Sequence, residues 1–286
     1  MILLVRLTQT FITCRSVWFG MHSTTSTPPI ETTERSLEVI ELVQELDGAG
    51  LADVTAELGL AKSTAHNHLT TLQNNGYLVK KGETYRIGLK FLNLGEYARS
   101  RWRGFEHIKR AVSELTDRTD EEVDFVAEDN GRITTICESY HKWVKYGDGD
   151  STKQYRADIG TYYHMHATAS GLAILAAYSP DRVEGILSEW GLPVHTEQTI
   201  TSRNALFAEL DRIRNRGYAV DDEYYTEGLR SVGKAVTAPD GEVLGALSVS
   251  GPLYRIDGTV LDVKIPEALS DVASSLETAL SASESS

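Results

Sequence analysis

Apolar residues recur at helical spacing in three short segments near the start of the chain. The first segment covers residues 35–46, and the second covers residues 51–58. A third helix is predicted to start at Ser63 and to end near Gly76, where glycine suits a left-handed cap. Three short amphipathic helices in succession are typical of a helix-turn-helix unit.

The next apolar positions follow a different pattern. Residues 77–79 and 85–87 are β-prone, and the segment 80–83 between them has the composition of a hairpin turn. Residues 47–50 are interpreted as the turn that ends the first helix, and residues 59–60 as a tight turn before the third. Three helices followed by a hairpin predict a winged helix over residues 33–89.

Helical and strand-like segments then alternate. Residues 90–103 are predicted to form a linker helix, and residues 104–283 a second domain. Asp129-Asn130-Gly131 is a strong hairpin signal between strands at 123–127 and 133–138. Further helices are predicted at 105–115, 167–177, 181–190, 202–216 and 265–280, with strands starting at 217 and covering 231–237 and 243–250. This order indicates an α+β protein with an antiparallel sheet in its C-terminal α/β domain.

The first 32 residues do not fit either domain. Residues 1–20 are apolar, but Arg6 and Arg15 interrupt them, so no uncharged run is long enough to span a membrane. They also lack the apolar core and cleavage site of a signal peptide. We interpret residues 1–32 as a tail that is disordered or wrongly annotated, and we expect Met21 to be the true start.

Composition supports two domains with packed cores, since 41% of the 286 residues are hydrophobic. Cys14 and Cys137 provide neither a disulfide framework nor a zinc cluster, so we expect a reducing, cytoplasmic setting and no membrane association. We expect no cofactor and no metal.

The net charge of −13 is unevenly distributed. Residues 62–103 carry eight basic and two acidic side chains, whereas residues 104–286 carry 17 basic and 31 acidic ones. The basic segment includes the predicted third helix and wing, where DNA phosphates would lie. The acidic remainder fits either a halophile or an ordinary acidic cytoplasmic protein.

The third helix has the side chains that a DNA major groove selects. Ala65, Leu69 and Leu72 face inward on a helical wheel, and a polar stripe faces outward. Hydroxyl groups can hydrogen-bond to phosphates, Asn67 can pair with adenine, and His66 can donate to a base or a phosphate. The alternative is an ordinary solvated helix face. The candidate DNA-binding residues are Lys62, Ser63, Thr64, His66, Asn67, Thr70, Thr71, Lys80, Lys81 and Arg86.

Four motifs in order carry a family resemblance. Residues 61–66 (AKSTAH), with YRIG at 85–88, resemble the DNA-binding domain of the IclR family of transcription regulators. HATASG at 166–171, RGYAVDDE at 216–223 and ALSVSGP at 246–252 resemble motifs of that family's second domain. The resemblance covers roughly residues 33–283. It implies a GAF-like effector-binding domain, operator DNA as partner, and homodimers or homotetramers.

The resemblance also implies an effector pocket for a small organic acid or an aromatic metabolite. Its positions fall on Ala169, Ser170, Asp221, Ser231, Ser248 and Ser250. A helix N-terminus at Ala169 and Ser170 would favour a carboxylate, and Ser248 and Ser250 would share one strand face. The alternative is that these serines satisfy backbone groups in a polar core.

Some positions differ from the family pattern. Ser231 stands where many members have cysteine, and Leu172 where many have lysine. The polar segment 139–160 carries Trp143, Tyr146 and Tyr155 and cannot be assigned.

Other chemistries are weaker interpretations. His164 and His166 could bind a metal with Asp221, but two histidines at this spacing are a weak signal. Ser170, His166 and Asp221 could form a hydrolase triad, but no Gly-x-Ser-x-Gly elbow is present. The sequence thus predicts an effector-responsive repressor; the alternatives are an activator of the same architecture and a metabolite-binding enzyme with a vestigial winged helix.

Overall fold

The computed structural model describes residues 28–140 and 159–284. The expectations about the start of the tail, and about Trp143, Tyr146 and Tyr155, fall outside these residues. Contacts divide the chain into two units, and the division falls between Phe91 and Leu92. None of the helices in the described ranges combines the length and the apolar character that a membrane span requires.

The N-terminal unit is the predicted winged helix. Its core consists of apolar side chains from all three helices and the hairpin, including Val39, Val54, Leu69 and Leu78, each 0–1% exposed. The elements are helices α1 (Glu31–Glu45), α2 (Leu51–Leu58) and α3 (Lys62–Asn74) and strands β1 (Ala49–Gly50), β2 (Leu78–Lys81) and β3 (Thr84–Ile87).

Two boundaries in this unit differ from the prediction. Helix α1 begins at Glu31, so residues 31 and 32 are helical rather than part of the tail. Glu31 and Glu34 occupy its first turn, where acidic side chains complement the helix dipole. Residues 47–50 are more than a turn, because Ala49 pairs with Tyr85 as a third strand. Asp47 and Gly48 reverse the chain at positive φ, which no periodic pattern revealed.

The end of α3 follows the prediction. Gly76 has a φ of +77°, and its amide bonds to the carbonyl of Gln73. The Tyr77 amide bonds to the carbonyl of Leu72. This pair of bonds is a Schellman motif. It turns the chain from α3 into the β2–β3 hairpin, which is the wing of the winged helix.

The C-terminal unit is built on an antiparallel sheet, as predicted, and the sheet has six strands. Helix α4 (Lys90–Ser100) crosses the division between the units. The other elements are helices α5 (Phe105–Thr119), α6 (Ala169–Ala177), α7 (Pro180–Trp190), α8 (Arg203–Arg216) and α9 (Ile265–Glu284) and strands β4 (Glu122–Asp129), β5 (Arg132–Ser139), β6 (Tyr162–His164), β7 (Ala219–Asp222), β8 (Leu229–Thr237) and β9 (Val243–Pro252).

The strand order of this sheet is β6-β5-β4-β9-β8-β7. One cluster of buried side chains joins the sheet to α5 and α9, and a second joins it to α6, α7 and α8. The β4–β5 hairpin turns at Asn130 and Gly131, with φ of +51° and +77°, as the Asn-Gly pair predicts. The short strand β6 was not predicted, because its three residues carry no alternation long enough to detect.

Candidate functional site

The polar stripe of α3 lies on the surface. Ala65 and Leu69 are fully buried and Leu72 is 7% exposed, which confirms the inward face. Thr70 is half-buried, and the remaining candidates on this helix are exposed: Lys62, Ser63, Thr64, His66, Asn67 and Thr71. The outward face therefore presents hydroxyl, amide and imidazole groups together.

The N-terminus of α3 lacks a side-chain cap. The residue before the helix is Ala61, whose side chain has no acceptor. The first amides of a helix have no acceptor within the helix, so they remain available to another partner. A phosphate suits this position, because the helix dipole and the adjacent Lys62 both favour negative charge.

The basic side chains of the wing lie on two opposite faces of its hairpin. Lys80 pairs with Tyr85 and Lys81 with Thr84, so Lys80 shares the face of the buried Tyr85 ring. Its Nζ lies 3.7 Å from a Glu83 carboxylate oxygen and 5.3 Å from the Tyr85 ring centroid. Lys81 and Arg86 lie on the opposite face, and no ion pair engages either of them within the described residues. The sequence did not distinguish these two roles.

One buried histidine of α3 was missed. His68 is 8% exposed, and its Nδ1 lies 2.9 Å from the Ser36 hydroxyl of α1. This partly buried contact links α1 to α3. The helical wheel places position 68 next to the buried face, but a histidine there gave no signal of burial.

The second site is a cavity of about 90 Å³ in the C-terminal unit. All six residues proposed for an effector pocket line it: Ala169, Ser170, Asp221, Ser231, Ser248 and Ser250. Sequence reasoning missed the rest of the lining, which adds acids, hydroxyls and two tyrosines: Glu122, Asp124, Val126, Tyr163, Thr168, Tyr225, Thr226 and Leu229. Detecting these residues requires the strand register, which the sequence does not give.

The sheet supplies the floor of this cavity through two cross-strand rows. In the first row Glu122 faces Ser250, Ser250 faces Ser231, and Ser231 faces Asp221. In the second row Asp124 faces Ser248, which faces Gly233. Residues directly opposite each other point to the same side of a sheet, so these polar groups form one patch.

The hydroxyl groups of this patch bond to side chains. Ser248 donates to Asp124 at 2.5 Å, and Ser250 donates to Ser231 at 2.9 Å. Ser248 and Ser250 therefore donate to side chains, and not to backbone groups as the alternative interpretation expected. The polar patch is held together by its own members and faces the cavity.

The start of α6 forms the other wall. Thr168 caps this helix by accepting the Gly171 amide at 3.1 Å. A side chain at Gly233 would bring its Cβ within 2.6–2.7 Å of backbone atoms of Ala169 and Ser170. The absent side chain thus lets the helix N-terminus approach the polar patch closely.

Two carboxyl groups in the cavity have raised pKa values. Burial raises the pKa of Asp124 to about 6, although the hydrogen bond from Ser248 opposes the shift. Burial raises the pKa of Asp221 to about 7, against the stabilising bond from the Tyr224 amide at 2.6 Å. No ion pair offsets the charge of either group within the described part of the chain.

The histidines considered for metal or hydrolase chemistry have other neighbours. His164 Nδ1 lies 3.2 Å from His195 Nε2, and His166 Nε2 lies 3.0 Å from the Pro193 carbonyl. Asp221 instead accepts the Tyr224 amide. Within residues 28–140 and 159–284, no group of three or more His, Cys, Asp or Glu side chains is arranged to hold a metal ion.

Comparison with known proteins gives matches over both units. The model described as the IclR helix-turn-helix domain matches residues 32–82, and that of the bacterial transcriptional regulator IclR C-terminal domain matches residues 102–278. The probable HTH-type transcriptional regulator ArcR of Halobacterium salinarum is 29% identical over 86% of this chain and 92% of its own length.

A repressor and a solved structure are also similar to the chain. The transcriptional repressor IclR of Escherichia coli K12 is 29% identical over 81% of this chain and 83% of its own length. The crystal structure of an IclR homolog from Microbacterium hydrocarbonoxydans, complexed with 4-hydroxybenzoate, superimposes with a TM-score of 0.71 at 22% identity. It covers 88% of this chain and 99% of its own.

Proposed function

Because the chain belongs to the IclR family of transcription regulators, we propose that it represses transcription from operator DNA under the control of a small metabolite. Residues 33–89 bind DNA, residues 90–103 link the two domains, and residues 104–283 bind the effector. The helix predicted over the whole linker ends earlier, at Ser100. The convergence of all six expected pocket residues on one cavity carries the proposal. A repressor among its relatives supports repression over activation.

DNA binding is assigned to α3 and the wing. Asn67 and His66 read bases from the exposed stripe, while the α3 N-terminus, Lys81 and Arg86 bind phosphates. Lys62, Ser63, Thr64, Thr70, Thr71 and Lys80 complete the contact surface. The protein acts in the cytoplasm. It binds as a homodimer or homotetramer, because the two helix-turn-helix units of a dimer contact two matching half-sites of an operator.

The effector is assigned to the cavity between the polar patch and α6. Its carboxylate binds the amides of Ala169 and Ser170, which line the cavity at a helix N-terminus. A volume of about 90 Å³ favours an acid of few carbons over an aromatic one, because pockets for larger ligands measure about 300–1,000 Å³. Binding alters operator affinity only if the two DNA-binding states differ in effector affinity.

Operator binding and its response to effector test the proposal together. Sites bound in the genome are mapped first, and fragments of those sites are then titrated with purified full-length protein. We expect sequence-specific binding that persists at physiological salt, and de-repression of a reporter gene when the effector is present. Binding that is equal for all sequences would refute the regulator assignment, and loss of transcription on deleting the gene would show an activator instead.

A further inference from the structure

The polar cavity is lined by three acidic side chains, Glu122, Asp124 and Asp221, and by no lysine, arginine or histidine among its described residues. Asp124 is 9% exposed and Asp221 is 3% exposed, so water solvates neither one well. A buried carboxylate without a cation is costly even when it accepts hydrogen bonds, and a proton or a cationic ligand lowers this cost.

The neighbours of these carboxyl groups add negative charge. Glu138 acts on Asp124, and Asp222 and Glu223 act on Asp221, each disfavouring ionisation. The ring of His195 lies close to the cavity, since its centroid is 4.6 Å from that of Tyr225, one of the lining residues, with the two planes tilted by 37°. Burial lowers the pKa of His195, so this imidazole supplies no compensating charge at neutral pH.

We propose that the effector carries an ammonium group as well as a carboxylate, and that Asp124 binds the ammonium. This inference rests on the proposed effector function of the cavity. The two ends of such a ligand match the two walls of the site. The α6 N-terminus at Ala169 and Ser170 favours the carboxylate, and the buried Asp124 carboxylate on β4 favours the cation.

The sheet geometry limits the length of the ligand. The α6 N-terminus lies over Gly233 of β8, and Asp124 lies on β4, with only β9 between them. Two strand spacings amount to about 10 Å, and the Asp124 carboxylate reaches toward β8, because its Oδ1 lies 2.5 Å from the Ser248 hydroxyl on β9. The ligand must therefore be shorter than this span, and a β- or γ-amino acid of three or four carbons is short enough.

Matched pairs of ligands test the ammonium directly. The probes are β-alanine against 3-hydroxypropionate and γ-aminobutyrate against 4-hydroxybutyrate, because each pair differs only in an ammonium replaced by a hydroxyl. Binding to the full-length wild-type protein is measured by calorimetry. We expect the amino member of at least one pair to bind tenfold or more tightly than its partner, and its affinity to rise from pH 5 to pH 7.5 as Asp124 ionises.

A carboxamide variant then locates the cation. Asp124→Asn keeps the shape and the bond to Ser248 but removes the charge, so the preference for the amino member should fall to about twofold or less. The control is Asp129→Asn at the exposed end of the same strand, which should keep the preference. The wild-type comparison stands alone if Asp124→Asn does not fold.

The outcomes separate this inference from the proposed function. Equal or tighter binding of the hydroxy acids, or no binding of either amino acid, would overturn the ammonium assignment. If a hydroxy acid alone binds and also changes operator affinity, the regulator function stands and only the ligand class is wrong. If operator DNA is not bound at all, the proposed function itself fails.

Discussion

The two candidate sites of this protein place their polar groups in opposite environments. On α3, Ser63, His66 and Asn67 are exposed to solvent, and their positions follow from one helix and its apolar face. In the cavity, Ser231, Ser248 and Asp221 are 3–5% exposed, and they come from three strands. An exposed polar group costs little in free energy, whereas a buried one needs a partner.

This difference determines what a substitution does. Changing a side chain on the α3 surface should alter DNA binding and leave the fold intact. Changing one in the cavity should alter ligand binding, stability and pH dependence together, because the same groups hold the patch and line the site. Four experiments examine this contrast.

Gly233→Val should have the largest effect. Its Cβ would meet the backbone of Ala169 and Ser170, which cannot move as a flexible side chain could. We expect the free energy of unfolding of the C-terminal unit to fall by about 3 kcal/mol, the upper end of the usual cost of overpacking a core, with effector response lost. The control is Gly185→Ala in α7, where a Cβ meets nothing within 4 Å. Equal melting temperatures for the two variants would contradict the close approach.

Asp221→Asn should change the pH dependence of stability. The folded-state pKa of about 7 lies above the ordinary value of 3.8, so the folded chain retains a proton that the unfolded chain releases. This stabilising contribution is complete below the unfolded value and is lost as the pH rises through about 7. Between pH 5 and pH 7.5 the wild type should lose on the order of 2 kcal/mol relative to the variant.

Urea unfolding at the two pH values measures this loss. The asparagine still accepts the Tyr224 amide, so the comparison isolates the charge. Parallel pH profiles for the two proteins would show that Asp221 titrates in the folded state as it does in the unfolded chain.

Asn67→Ala should leave stability unchanged and relax base preference. Discrimination between the operator and a single-base variant should fall by at least about 1 kcal/mol if the amide pairs with a base. Fluorescence anisotropy on both DNA fragments measures the change. Asn74→Ala, in the last residue of the same helix, is the matched control. A uniform loss of affinity on every sequence would reassign Asn67 to phosphate binding.

The smallest effect should separate the two wing lysines. A phosphate contact contributes about 0.9 to the salt dependence of log K. Lys81→Ala should lower the slope by about this amount, because no ion pair engages Lys81 within the described residues. Lys80→Ala should lower it less, because its Nζ already lies 3.7 Å from Glu83. Equal slopes for the two variants would remove the distinction between the wing's faces.

The elements of the fold were largely predictable where local chemistry decides them. Gly76 ends α3, and Asn130-Gly131 forms the hairpin, because positive φ is needed there and few residues tolerate it. Strand β1 was missed because its two residues are defined only by pairing with β3. The same limitation hid β6.

The candidate sites were predictable to different extents for the same reason. The α3 surface follows from helical periodicity, so its residues could be named from the sequence. The six cavity residues came from a family resemblance, and Asp124 was missed. Its contact with Ser248 joins positions 124 residues apart, which no local pattern indicates. The separation of Lys80 from Lys81 likewise required the hairpin register.

The pairing of β4 with β9 has a consequence for the order of folding. These strands are central neighbours in the sheet, yet β9 begins at Val243, long after β4 ends at Asp129. Pairings between distant segments form slowly, whereas the winged helix contains mainly local contacts. During synthesis the DNA-binding unit can therefore fold while β4 still has an open edge. We expect nascent or truncated chains that end before β9 to bind chaperones and to aggregate through that edge.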